Sequence, residues 1–202
     1  MFITFEGGEG TGKSTQLKLL ADRLLAEGRT VVQTREPGGT KEAEALRALL
    51  VSGETDRWSA ESEALLNYAA RDSHLRHVIR PALAAGAIVL CDRFMDSTRA
   101  YQGYAGGCTF HLLDELERSI VGDTRPTLTL MFDLDPIIGL ARAKSRGEGA
   151  EDRFERKGLA FHQRIRDGFM EIAKADPQRC RVINANQSVD AVAAAIWGHL
   201  NG

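Results

Sequence analysis

The sequence lacks any apolar run near the ~20 residues that a membrane-spanning helix requires; its longest apolar stretches are strand-sized. No membrane segment is therefore expected. It lacks a strong excess of either charge. The net charge of −2 indicates neither a nucleic-acid-binding surface nor a polybasic membrane anchor. Cysteine is sparse: Cys91, Cys108 and Cys180 are widely spaced, odd in number and form no CxxC pair. A metal cluster is not expected, and the three read as packing thiols of a reducing cytosol. Met1 runs directly into an apolar stretch, so no signal peptide is expected. There is no internal repeat, low-complexity tract or Pro/Gly/Ser linker. The histidines (His74, His77, His111, His162, His199) form no metal-ligand set, and no Ser or Cys stands with a His at a spacing that indicates nucleophilic catalysis. What is present is ordinary for a globular chain: 43 % hydrophobic and 27 % charged residues over 202 positions, enough for one α/β domain with a sizeable core.

Apolar strand-like runs alternate with amphipathic ones. Strands are expected near 2–6, 30–34, 87–91, 128–133 and 180–184. Helices are expected near 13–27, 40–51, 60–84, 109–121, 136–146, 155–175 and 188–200. Near-continuous apolar strands alternating with helices predict a five-stranded parallel sheet flanked by helices on both faces. Such sheets bind ligands at the C-terminal ends of their strands. That selects the residues just after Phe5, Thr34, Cys91 and Phe132.

After the first strand comes Gly7-Gly8-Glu9-Gly10-Thr11-Gly12-Lys13-Ser14, which fits the phosphate-cradling pattern G-x-x-x-x-G-K-[ST]. The bare pattern arises by chance in about one chain in 150 of this length, and the strand before it and helix after it make chance rarer still. Glycines allow backbone torsions that point successive N–H groups at phosphate oxygens, and the helix N-terminus adds roughly half a positive charge. Lys13 is expected to reach the β- and γ-phosphates and Ser14 to bind Mg²⁺.

Thr34-Arg35-Glu36-Pro37-Gly38-Gly39-Thr40 follows the second strand. Its Pro and paired glycines mark a turn, and Thr40 or a neighbour is placed to cap the next helix. The stretch fits a plain βα turn, or a turn that brings Arg35 to the ligand crevice. The third strand ends in Asp92-Arg93. An apolar strand ending in Asp is what a Walker-B-type Mg²⁺ position looks like, and Arg93 suits a bidentate grip on phosphate; a weak surface ion pair is the plainer alternative. Asp96-Ser97-Thr98-Arg99-Ala100-Tyr101-Gln102-Gly103 is either a self-capping helix start or a patch for sugar and base recognition. Arg71, within the expected helix over 60–84, is either solvated or turned to a ligand. Residues 142–158 have little to bury and are expected to be solvated and mobile. Their cations Arg142, Lys144, Arg146, Arg153, Arg156 and Lys157 make either a solvated helix or a lid that closes on a transferring phosphoryl group. After the fourth strand the chain has Asp133-Leu134-Asp135-Pro136 rather than the guanine-reading N-K-x-D, which disfavours a GTPase switch.

Taken together, these stretches resemble the thymidylate kinases, in particular the bacterial subgroup with lid arginines. The resemblance runs nearly end to end. It rests on Phe5-Glu6 with the glycine loop and Lys13-Ser14-Thr15, on 34–40, on Tyr68-Ala69-Ala70-Arg71, and on Asp92-Arg93-Phe94. It continues through Ser97-Thr98, Ala100-Tyr101-Gln102-Gly103, Asp133-Leu134-Asp135-Pro136 and Asp152-Arg153-Phe154-Glu155. It implies a single P-loop nucleoside monophosphate kinase domain over 1–202, with a lid at about 142–156. It also implies transfer of the ATP γ-phosphoryl to dTMP with Mg²⁺, a cytoplasmic location and a homodimer packed through helices. By position, Gly7 to Thr15 bind ATP, and Ser14 and Asp92 hold the metal. Glu9 meets the deoxyribose 3′-hydroxyl, Arg35 and Arg93 the dTMP phosphate, and Arg71 the thymine edge. Tyr101 stands where a ribose 2′-hydroxyl would go, with Ser97, Thr98 and Gln102 beside the acceptor. Lys13, Arg93, Arg142 and Arg146 carry the catalytic charge, since the loop itself holds Glu9-Gly10-Thr11 where some relatives carry an Arg. The segment 184–190 is placed near the adenine. Two departures stand out: Asn67 occupies the place of a base-stacking Phe, and Phe94 that of a Tyr or His.

Overall fold

The computed structural model describes residues 1–145 and 153–201. β1 (Phe2–Gly7), β2 (Val31–Arg35), β3 (Ile88–Asp92), β4 (Leu128–Asp133) and β5 (Cys180–Asn184) form one all-parallel sheet in the order β2-β3-β1-β4-β5. The five strands lie within two residues of the sequence expectation. The chain leaves β1 for the β2 edge, returns to β3, then crosses β1 to β4. The reversal puts the C-terminal end of β1 in a crevice between its neighbours, where such sheets bind ligands.

The period-2 alternation of the strands sorts side chains to two cores. Ile3, Phe5, Leu90, Leu130 and Ile183 pack on one face against α1 (Lys13–Ala26) and α9 (Val189–Asn201), through Leu17, Leu20, Val192 and Ile196. Phe2, Val89 and Cys91 point the other way, toward Tyr68, Leu75 and Leu113 of the helical segments between β2 and β4. Met131 meets Ile165 and Phe169 of α8 (Leu159–Ala175) on that same side. Helices thus cover both faces, and β1 is buried along its whole length. The register Thr4↔Thr129 brings two hydroxyls to 2.8 Å within the buried ladder.

Side-chain caps open some of the helices. Thr40 Oγ1 accepts the Ala43 N–H ahead of α2 (Lys41–Val51), and Ser59 accepts the Ser62 N–H ahead of α3 (Ala60–His74). The single helix expected over 60–84 is broken by a π-helical turn at Leu75–Ile79 before α4 (Arg80–Ala84). Pro81 has no N–H to continue the i→i−4 ladder, and Arg80 N donates five residues back to Leu75 O. α5 (Met95–Thr98) runs into a second π turn over Arg99–Ala105, a helical segment that the sequence reading left undecided. α6 (Phe110–Leu116) ends in a third, Glu117–Val121, closed by Gly122 at φ 54°. α7 (Pro136–Lys144) precedes the undescribed residues.

Candidate active site

Glycines shape the loop between β1 and α1 at two places, by backbone conformation at Gly12 and by close approach at Gly10. Gly12 lies at φ 87° and no side chain caps α1, which leaves the first-turn N–H groups uncapped, the arrangement by which helix N-termini bind anions. Gly10 (φ 66°) abuts α7: a Cβ there would stand 2.0 Å from Gly139 O, and a Cβ on Gly139 would stand 2.4 Å from Glu9 O. Loop and α7 therefore touch backbone to backbone. Lys13 Nζ donates to Gly8 O (2.8 Å), Gly7 O (3.2 Å) and Thr11 Oγ1 (3.2 Å). Burial, followed by the Arg93 charge, pulls its ammonium down to about 8.

Ser14 Oγ donates to Asp92 Oδ2 at 2.6 Å. The two border a cavity of about 120 Å³ whose wall is the loop from Glu9 to Thr15, with Arg93. A hydroxyl and a carboxylate beside a row of backbone amides are the hard oxygen ligands that Mg²⁺ takes alongside waters and phosphates. That donor set fits the ion.

Arg93 sits at φ 70°, the one non-glycine residue in the left-handed region among those described. Local contacts hold it there. Its N–H donates to Phe5 O, Nη1 to Gly7 O (2.9 Å) and Ser97 Oγ (3.2 Å), and Nη2 to Glu9 Oε1 (2.8 Å). Tyr101 Oη donates to the same Glu9 oxygen at 2.7 Å. Burial opposes the Glu9 charge, but Arg93, Lys13 and the Tyr101 hydrogen bond outweigh it and hold the carboxyl down to about 2. Burial conversely pushes the Tyr101 phenol well up, so it is a donor at neutral pH.

On the other side of Glu9 and Arg93 opens a larger cavity of about 360 Å³. Arg71, Ser97, Thr98, Tyr101, Gln102 and Asn67 line it, together with Pro37, Leu50, Val51 and Phe154. Arg71 is sealed in place: Nε donates to Glu36 Oε2 (2.7 Å), Nη2 to Thr98 Oγ1 (3.0 Å), and its guanidinium lies over the Tyr68 and Phe94 rings at 4.4 and 5.0 Å. Its Nη1 is buried without a partner among the described residues. A buried donor left unsatisfied costs about 1–3 kcal/mol, and this one belongs to a residue that lines the cavity. Glu36 also pairs with His74 Nδ1 at 2.9 Å, and His74 Nε2 meets Thr34 Oγ1 at 2.6 Å. Gln102 Nε2 donates to Glu63 Oε2 (2.8 Å), and Asn67 Nδ2 to Glu63 O (2.8 Å).

Of the residues singled out in the sequence, Glu9, Arg71, Arg93, Ser97, Thr98, Tyr101 and Gln102 border one cavity, and the glycine loop, Ser14 and Asp92 border the adjoining one. Arg35 is not among them. It lies exposed, paired with Glu44 at 3.0 Å, in a groove that meets the loop cavity at Ser14 and Asp92 but shares no residue with the larger cavity. Arg142 is exposed and donates from Nη1 to Ala185 O (3.3 Å), in the segment after β5. Arg146 lies outside the described residues, as does Asp152. The basic stretch is not solvated throughout. Arg153 is fully buried, paired with Glu63 Oε1 (2.7 Å) and donating to Leu50 O, Glu54 O and Thr55 O.

Sequence reasoning missed three carboxylates that organise the site from behind: Glu6, Glu36 and Glu63, each buried. Glu6 carried a signal, a charged residue inside an apolar strand. Its burial is complete, and Phe94 N donates to its Oε1 at 2.8 Å.

A family model described as Thymidylate kinase matches residues 5–196. The chain is 59 % identical over 195 residues to a protein named thymidylate kinase from Caulobacter vibrioides, covering 96 % of this chain and 93 % of that one. It is 53 % identical over 201 residues to another of that name from Magnetococcus marinus, covering 100 % and 95 %. Its fold resembles the crystal structure of thymidylate kinase from Ehrlichia chaffeensis with a TM-score of 0.81 at 38 % identity, covering 100 % of this chain and 98 % of that one.

Proposed function

The chain belongs to the thymidylate kinase family, and from that premise we propose that it phosphorylates dTMP to dTDP with ATP, by in-line transfer across the boundary between its two cavities. The observation that carries this reading is the shared wall. Glu9 and Arg93 border both the loop cavity and the acceptor cavity, so a triphosphate on the loop and a monophosphate acceptor meet head to head at Arg93.

The acceptor is already an anionic phosphate oxygen, so no strong general base is needed and the barrier is one of positioning and charge. Lys13 and the α1 N-terminus hold the triphosphate. Arg93 bridges the approaching phosphates, and Arg71 offers its unpartnered Nη1 to the base. Tyr101 and Glu9 close the sugar end. Ser14 and Asp92 would hold Mg²⁺, which would supply charge neutralisation to the transferring phosphoryl group. Arg142 and Arg146 are assigned the remaining cationic charge, carried by a lid at about 142–156 of one domain spanning 1–202. Arg35 is assigned to the dTMP phosphate, which it reaches only by leaving Glu44.

ATP as co-substrate, a homodimer packed through helices and residence in the cytoplasm complete the reading. The half-exposed Leu65 on α3 suits a helical contact. ADP release measured with and without dTMP tests the assignment. Release is expected to depend on dTMP, and ADP produced equally fast without an acceptor would overturn it.

A further inference from the structure

Glu6 is wholly buried at the end of β1 and touches no part of the reaction directly, yet its two oxygens hold both ends of the turn that carries Arg93. Oε1 accepts the Phe94 N–H, and Oε2 accepts the Ser97 hydroxyl in a short 2.5 Å contact. Ser97 Oγ in turn accepts Arg93 Nη1 at 3.2 Å and lines the acceptor cavity.

A serine hydroxyl has one hydrogen and two lone pairs. With Glu6 ionised, that hydrogen is committed to Oε2, one lone pair is committed to Arg93, and the other is left for the cavity. A lone pair facing an anionic phosphate is repulsive. With a proton from solvent on Glu6, the carboxyl O–H donates to Ser97 Oγ, both lone pairs are occupied, and the serine hydrogen is free to donate into the cavity. The same wall thus changes from acceptor to donor. Deepening the acceptor-site reading above, we propose that Glu6 is a positioning residue whose protonation turns the Ser97 hydroxyl toward the acceptor phosphate, so that binding a nucleoside monophosphate takes up a proton on Glu6.

The surroundings make this exchange available near neutral pH. Burial raises the Glu6 carboxyl, and the Asp96 charge raises it further, to about 7, against the opposing pull of Ser97, Arg93 and the Phe94 N–H. Asp96 faces it from α5 and is itself fixed by two bonds from Arg179 (2.6 and 3.0 Å). Lys13 from α1, Arg71 from α3, and the Cys91 and Cys180 thiols of β3 and β5 also interact with it. His162 of α8 acts on Glu9 instead.

The test is titration calorimetry of dTMP at pH 7 in two buffers of different ionisation enthalpy, on the wild type and on Glu6→Gln. The Gln amide presents N–H to Ser97 and C=O to Phe94, as a protonated Glu6 would. Protons exchanged by dTMP itself are common to both proteins and cancel. The wild type is expected to take up as much as about half a proton more than E6Q, the share a group half-ionised at that pH has left to gain. The wild-type affinity, relative to that of E6Q, should fall about sixfold between pH 6.5 and 8.5 where binding raises the carboxyl by one unit. A loss of packing alone would not change the proton count. Ser97→Ala, which keeps the carboxyl and removes the link, should give the E6Q proton count even if E6Q folds poorly. Wild type that binds dTMP with the same proton count as both variants would overturn this proposal and leave the kinase reading standing; wild type that does not bind dTMP would overturn both.

Discussion

Arg153 Nη2 lies 2.7 Å from Glu63 Oε1, with the two side chains 0 % and 3 % exposed. The pair fastens the chain returning from the undescribed residues to α3, beside Gln102 of the acceptor cavity. The backbone carbonyls of Leu50, at the end of α2, and of Glu54 and Thr55, in the link to α3, take the rest of the guanidinium. Removing one partner of a buried pair costs about 3–5 kcal/mol, with the lower end expected here because Lys157 Nζ stays 3.7 Å from the same oxygen. Arg153→Ala should therefore lower the urea unfolding free energy by that order, and adding Glu63→Ala should cost less than the sum of the two single changes. A loss below about 1 kcal/mol would place Arg153 on the surface, as the basic composition of its neighbourhood implies.

Gly139→Ala should impair turnover without touching any substrate. Its Cβ would press on the Glu9 carbonyl at 2.4 Å, backbone against backbone, with no flexible side chain to yield. The loop must shift, and a displacement near 1 Å in a positioned site costs on the order of 10²-fold. Steady-state kcat/KM for ATP reads this out. A variant within about twofold of wild type would show that the loop and α7 separate freely.

Glu36→Gln should separate binding from chemistry. Glu36 fixes Arg71 through a charge-assisted bond at 2.7 Å and His74 at 2.9 Å, but borders only the acceptor cavity. Losing about 1.5–3 kcal/mol of that bond should raise KM for dTMP by roughly 10- to 100-fold, with kcat changed far less. An equal loss in kcat at unchanged KM would contradict Arg71's role as a base contact.

Glu9 should leave a signature in acid stability. Its carboxyl falls from the ordinary 4.5 to about 2 on folding, since Arg93, Lys13 and Tyr101 outweigh the opposing effect of burial. A depressed carboxyl stabilises the fold above its unfolded value, and that contribution is lost as pH falls through the folded one. At about 1.4 kcal/mol per pKa unit, it amounts to about 3 kcal/mol at neutral pH. The stability gap between wild type and Glu9→Gln should hold from pH 7 to 5 and shrink steadily below about 4.5. A gap independent of pH over that range would mean Glu9 is not held ionised by its neighbours.

The parts of this site legible in the sequence were those written locally. The glycine loop, the strand ending in Asp92-Arg93 and the Thr40 cap each state their role within a few residues, and the alternating apolar runs placed five strands within two residues. What was not legible depends on partners far along the chain. Arg153 reads as a solvated cation until Glu63 and the carbonyls of Leu50, Glu54 and Thr55 close over it. Arg35 stands at its strand end as expected, but the carboxylate of Glu44, one helix turn into α2, draws its side chain away from the acceptor cavity. Glu36 and Glu63 were invisible for the same reason, since a carboxylate on a helix or turn is ordinarily solvated. The π turns escaped notice because a change of one residue in hydrogen-bond period barely alters the apolar pattern.

The most direct measurement is the specificity constant across an acceptor panel: dTMP, dUMP, UMP, CMP and thymidine with ATP. With Arg93 bordering both cavities and Arg71 Nη1 unpartnered among the described residues and proposed to meet the base, dTMP should give the highest kcat/KM, with the ribonucleotides disfavoured at Tyr101 and unphosphorylated thymidine the poorest. A clear preference for thymidine over dTMP would remove the acceptor phosphate from Arg93 and contradict the account.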